Sequence, residues 1–272
     1  MRKILRFLKG IWIINFVRRV YNAIKYNHYR FVNAIKWGFT SNEDTNFTYH
    51  LTPDNILYMA NTIAVVTKTD YKEVLKYINE AQNDTYLSET ILKTIAKSDE
   101  RKFADKEVRF SKRLGWYAFV RIMKPRLVVE TGVDKGLGSI LLSAALLKNK
   151  KEGFEGKYIG TDINPKAGYL LTDIYTEVGS IMYGDSIESL KKIKEPIDLF
   201  INDSDHSSDY EYQEYVTIKP ILGENAILLG DNSHCTDKLA VFSNENGRNF
   251  LFFKEETLNH WYPGSGIGIS YK

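Results

Sequence analysis

Two polar clusters define the chemistry open to this chain. The apolar run Ile197-Asp-Leu-Phe-Ile201 leads into Asn202-Asp203-Ser204-Asp205-His206, and Ala226-Ile-Leu-Leu229 leads into Gly230-Asp231-Asn232-Ser233-His234. Each reads as a buried strand ending in oxygen-rich residues. Asp203, Asp231 and Asn232 would offer two carboxylates and one amide oxygen, hard donors that suit a divalent cation such as Mg²⁺. Acids that cap the following helices would explain one such cluster more easily than two. A histidine lies within reach of each: His206 three residues after Asp203, and His234 three after Asp231. Asp205 is either a further ligand or a residue that orients His206.

Upstream lies a second chemical signature. Val128-Val-Glu130-Thr-Gly132 continues as Val-Asp-Lys-Gly136-Leu-Gly138-Ser139 and then into the apolar segment Ile140–Leu147. The pattern is strand, glycine turn, helix. Such a turn lets backbone approach a ligand closely and leaves helix N–H groups free behind it. The spacing Gly132-x-x-x-Gly136-x-Gly138 departs from the G-x-G-x-x-G dinucleotide fingerprint. Tyr158-Ile-Gly-Thr-Asp162 is a second strand ending in an acid, where a ribose diol would be held; a helix cap is the alternative. Ile181-Met-Tyr-Gly-Asp185-Ser186 is a third, placed to flank an adenine, with capping of a helix over 187–193 as the alternative for Ser186.

Together these residues resemble class I S-adenosylmethionine-dependent methyltransferases. The resemblance spans about residues 114–272. It implies cofactor binding by Glu130, Gly132, Gly136, Asp162, Asp185 and Ser186. The paired strand ends resemble the divalent-metal-dependent O-methyltransferases, which implies Asp203, Asp231 and Asn232 as metal ligands. Asp203-x-x-His206 is similar to sugar O-methyltransferases that modify glycosylated natural products, and this implies His206 as the base that deprotonates the hydroxyl. Imidazole beside a metal-acidified alcohol is chemically suited to that step. Small catechol-type enzymes often carry lysine at that place, so their deprotonation step does not transfer. Asn249–Phe253 and Gly266–Tyr271 look like the closing antiparallel strands of the methyltransferase sheet.

The elements that must hold these residues define an α/β fold: a doubly wound, seven-stranded, mainly parallel sheet of Rossmann-like methyltransferase type with an N-terminal helical extension. At 272 residues with 43% hydrophobic content, the chain can build one large core plus an appendage. The single cysteine, Cys235, excludes an intramolecular disulfide and fits a reducing compartment. Three segments are expected: a basic amphipathic arm over 1–37, a helical lid or substrate region over 38–113, and the methyltransferase domain over 114–272. In the lid, Thr52 should cap a helix opening on Pro53 and running to Ile63. Further helices are expected over 71–81, 88–95 and 107–123. Tyr49, His50 and the loop 260–264 are candidate acceptor-pocket residues.

The arm carries nine Lys or Arg and no acid, leaving about −6 for residues 38–272 against a whole-chain charge of +3. Its longest uncharged run, residues 10–17, is too short to span a bilayer, and Arg18-Arg19 argues against a signal peptide. Packing or homo-oligomerisation and contact with an anionic membrane surface are the two expected roles. Nucleic acid is not expected, because no binding module accompanies the charge. The chain is therefore expected to be cytoplasmic, peripheral on the inner membrane face if the arm binds lipid, and to act on a small-molecule or saccharide acceptor. The rival readings are a nicotinamide-dependent oxidoreductase and a non-catalytic membrane-recruited scaffold.

Overall fold

The computed structural model describes residues 11–44 and 48–272. Residues 1–10 of the expected arm, with Arg2, Lys3, Arg6 and Lys9, lie outside the described residues. The rest of the arm is one helix, α1 (Trp12–Thr40), which runs three residues past the expected boundary at 37. Among the helices that follow, α2 (Pro53–Thr67) opens as its sequence predicts, with Thr52 Oγ1 accepting from the Asn55 amide. Aspartates cap the next two: Asp70 accepts from Lys72 N at the start of α3 (Tyr71–Gln82), and Asp84 from Leu87 N at the start of α4 (Thr85–Lys97).

The helix expected over 107–123 is shorter, α5 (Arg113–Met123). Ser111 stands at φ 51°, outside the right-handed helical region, and its hydroxyl donates to the carbonyl of Tyr49. Residues 107–112 are therefore held as a loop.

The remaining elements alternate as the pattern requires. They are β1 (Leu127–Thr131), α6 (Leu137–Lys151), β2 (Lys157–Asp162), β3 (Gly179–Tyr183), α7 (Ser186–Leu190) and β4 (Ile197–Asn202). Then come α8 (Ser208–Ile218), β5 (Leu222–Asp231), α9 (Lys238–Glu245), β6 (Asn249–Lys254) and β7 (Gly266–Tyr271). The sheet order is β3-β2-β1-β4-β5-β7-β6, with β7 antiparallel to both β5 and β6 and the other pairs parallel. This is the expected seven-stranded, doubly wound architecture.

Alternating side chains bury both sheet faces. Val128, Ile201 and Leu229 face a core shared with α2–α6, while Val129, Phe200 and Leu228 face one shared with α7–α9. The chain reverses its direction of winding between β1 and β4. Ligands of open α/β sheets bind outside the carboxyl ends at such a switch point.

Gly132 ends β1 at this point with φ 78°, and a Cβ there would overlap the carbonyl of Asp203 on the neighbouring strand end. Gly132→Ala should therefore destabilise the protein by about 2–5 kcal/mol, combining left-handed strain with overpacking. Urea denaturation measures this, and a loss below about 1 kcal/mol would show that the two strand ends separate easily.

Candidate active site

The glycine turn is strapped from two sides. Gly132 N–H donates to Thr161 O (2.8 Å), while Gly168 and Leu170 donate to the carbonyls of Asp134 (2.6 Å) and Lys135 (3.1 Å). Gly136, at φ 89°, packs so closely on Gly168 that a Cβ would stand 2.9 Å from its Cα. Gly136 is also the N-cap of α6 and offers no side-chain cap. The first-turn amides of α6 thus lack the usual side-chain acceptor, as an anion- or ligand-binding helix start requires.

Asp162 sits beside this turn. Its Oδ2 accepts from the Asp134 amide (2.9 Å) and its Oδ1 from the Asn164 amide (2.8 Å), so it fixes the loop and caps its own turn. Both oxygens keep a further acceptor site. Glu130 lies beneath the turn, 1% exposed, and accepts from the Tyr158 hydroxyl. Burial pushes its pKa up to about 7. At the end of β3 the cap is Asp185, which accepts from Glu188 N (2.9 Å), and Ser186 is the first residue of α7. The alternative that made Ser186 the cap is corrected: its hydroxyl is turned inward to Tyr210 (2.8 Å) and Glu214.

Across the switch point, β4 and β5 bring Asp203, His206 and Asp231 together, with one donor atom from each within 4.8 Å of the others. Asn232, at φ 53°, joins them: its Nδ2 lies 3.1 Å from His206 Nε2. His234 is outside the cluster, with its Nε2 3.7 Å from the Cys235 sulfur. Asp205 accepts from the Ser207 amide (2.8 Å) and so holds the turn before α8.

Two cations that no sequence motif marks enter this cluster. Lys112 Nζ lies 2.6 Å from Asp231 Oδ1 and donates to Asn232 Oδ1 (3.3 Å) and Ser265 Oγ (2.7 Å). Arg113 reaches Asp203 Oδ2 at 3.7 Å and lies over the Trp116 ring. Burial works against the Lys112 charge, but Asp231, Glu255 and Asp203 outweigh it and raise its pKa. The carboxylates divide. Burial and the Asp231 charge push Asp203 well above the usual range. Burial opposes the charge on Asp231 too, but Lys112 and the hydrogen bond from Asp203 hold it below that range.

The donor set suits a hard cation, and Lys112 competes for two of its oxygens. A divalent ion bound about 2.1 Å from the oxygens of Asp231 and Asn232 would fall close to the Lys112 ammonium. An ion held by those two oxygens would therefore have to displace Lys112. One signal was available. Lys112-Arg113 opens a buried helix, where the helix dipole disfavours cations, so an outside carboxylate had to hold them.

Two buried acids were also illegible. Glu214, 0% exposed, accepts from Thr131 (3.2 Å), Ser204 (2.8 Å), Asn202 and Ser186, joining three strand ends. Glu255 accepts from the Lys112 amide (2.9 Å), the Tyr49 hydroxyl (2.9 Å) and both the amide and hydroxyl of Ser265. Tyr49 packs beside Tyr262 and His260, so these candidate pocket aromatics do gather, whereas His50 turns to Glu107. A cavity of about 880 Å³ opens at the opposite edge of the sheet between Lys68, Arg126, Asp198 and Lys272, away from all of these groups.

Residues 129–233 match a family model described as a methyltransferase domain. Solved structures with a similar fold include the O-methyltransferase TomG of Streptomyces achromogenes, involved in tomaymycin synthesis and solved with S-adenosylmethionine (SAM). It is 14% identical, with 70% of this chain and 90% of that one covered and a TM-score of 0.51. An O-methyltransferase from Bacillus cereus in complex with SAH is 13% identical, covering 73% and 100%, with a TM-score of 0.51. A putative caffeoyl-CoA O-methyltransferase from Staphylococcus aureus is 14% identical, covering 75% and 100%, also at 0.51. A search of curated proteins finds no match.

Glu130 provides a pH test. Its folded pKa is raised, so between about 4.5 and 7 the folded state keeps a proton that the unfolded state releases, and stability falls as pH rises through that window. Relative to Glu130→Gln, the wild type should lose about 1 kcal/mol per pH unit from pH 5 to 7 and level off above. Parallel denaturation curves that keep a constant difference would show that Glu130 is ionised throughout.

Proposed function

Because this chain has the class I S-adenosylmethionine-dependent methyltransferase fold, with a methyltransferase domain over residues 129–233, we propose that it methylates a hydroxyl oxygen of a saccharide or glycosylated small molecule. The observation that carries this reading is the pairing of the glycine turn with the Asp203–His206–Asp231 cluster across one switch point. When bound, S-adenosylmethionine supplies an electrophilic methyl group on a sulfonium. The uncapped start of α6, the acceptor sites left on Asp162 and the neighbouring Asp185 fit such a ligand.

His206 is the base. Lys112 donates to Asn232 Oδ1, which turns the amide nitrogen of Asn232 toward His206. In this arrangement His206 Nε2 accepts from the Asn232 amide. Once the Asn232 amide releases its lone pair, this nitrogen would take the acceptor hydroxyl's proton, which frees the oxygen to receive the methyl group that bound S-adenosylmethionine would supply. Lys112, still protonated, stabilises the developing oxyanion from a site with little water. The half-buried rings of His260 and Tyr262, backed by the buried Tyr49, are suited to a sugar face. Orientation and fixed charge carry the catalysis.

A second reading follows from the donors alone. With Lys112 displaced, Asp203, Asp231 and Asn232 would hold a divalent cation that polarises the acceptor.

Release of S-adenosylhomocysteine over a panel of saccharides, phenols and non-glycosylated alcohols tests the proposal. His206→Ala should lower kcat by about 10²–10⁴-fold. It should leave cofactor affinity within about twofold, since His206 contacts Asn232 on the far side of the switch point from the glycine turn. A loss of kcat below about threefold would move the base to His234 or solvent. Wild-type activity should survive EDTA, and Lys112→Met should abolish it. Activity lost in EDTA and restored by Mg²⁺ would select the second reading.

A further inference from the structure

α1 is built unlike the other described helices. At about 100° per residue, Ile13, Val20, Ile24, Phe31, Ile35 and Phe39 fall on one half of its circumference, and all six are exposed. Phe39 is 87% exposed and Phe31 69%. The helix meets the body of the protein elsewhere, through Asn33, Ala34 and Trp37, with the Trp37 ring against His260 and Trp261. The apolar half therefore points away from the fold.

The cations are arranged around that half. Arg18, Arg19, Lys25, Arg30 and Lys36 all lie on the opposite half, with Lys25 bordering one edge of the apolar arc and Arg30 the other. No acid occurs before Glu43. We propose that α1 lies flat in the interface of an anionic lipid bilayer, with its apolar half among the acyl chains and its border cations reaching up to the headgroups.

Charge decides between the possible occupants. Two copies packed through this face would bring their flanking cations together with no acid to pair them, the reverse of what a helix–helix seam needs. An anionic headgroup layer presents opposite charge to both flanks at once. No described helix is long and apolar enough to cross a membrane, so α1 would lie on the bilayer and not span it.

The test is co-sedimentation of the full chain with vesicles of phosphatidylcholine alone or mixed with phosphatidylglycerol, alongside sedimentation velocity without lipid. Binding should be at least tenfold tighter on the mixed vesicles and should weaken as salt rises from 0.1 to 1 M, because screening shortens from about 10 to 3 Å. The double substitution Ile24→Glu with Phe31→Glu should remove vesicle binding without changing the sedimentation coefficient. Replacing Arg18, Lys25 and Arg30 with Gln, which leaves the apolar half intact, should remove the preference for anionic lipid. Equal binding to both vesicles, or none, overturns the proposal. So does a wild-type dimer that the Glu pair converts to monomer, which would make this face a contact between copies of the chain.

Discussion

Two carboxylates, the half-buried Asp203 and the buried Asp231, stand side by side at neighbouring strand ends, and the site depends on how that charge is balanced. Carboxylates in such a place must be protonated, metal-bound or paired with buried cations. Here Lys112 and Arg113 are the cations, and neither comes from the sheet. They open α5, so balancing the strand-end acids fixes where that helix starts. Glu255 then takes the Lys112 amide and the Ser265 hydrogens, which ties the same point to the segment between β6 and β7. One charge cluster thus joins the middle of the sheet to the segments before and after it.

The same economy governs the glycines. By sequence, Gly132 and Gly136 are expected to let a ligand approach the backbone. In the structure their first role is contact between backbones: Gly132 against Asp203, Gly136 against Gly168. The two roles are compatible. Close packing of the turn on its neighbours keeps α6 pointed at the switch point with its first amides uncapped, and a larger residue would move the helix before it touched any ligand.

Periodicity and strand-end acids made the sheet, its antiparallel closure and the placement of Asp162, Asp203, Asp231 and Asn232 legible, because each signal is local in sequence. Lys112, Glu214 and Glu255 were not legible. Their roles come from partners far along the chain: 119 positions from Lys112 to Asp231, and 206 from Tyr49 to Glu255. No window of sequence contains both members of such a pair. The helix expected from Glu107 failed for the same reason, since the Ser111 hydroxyl is taken by Tyr49, 62 residues earlier.

The placement of α1 bears on how an acceptor would reach the site. Trp37 rests on His260 and Trp261, His260 on Tyr49, and Tyr49 donates to the carboxylate of Glu255 that also holds the Lys112 backbone. Near this root, a cavity of about 330 Å³ opens between Lys36, Tyr49, His50, Arg109 and His260. The root of the helix and the aromatic wall of the candidate acceptor pocket are therefore one packed unit. If α1 lies on a bilayer, that unit fixes how far the pocket stands from the lipid surface. An acceptor displayed at the membrane would then meet the aromatic wall at a set height, whereas a freely diffusing one would gain nothing from the arrangement. Reach relative to the bilayer thus becomes a determinant of selectivity, separate from the shape of the pocket.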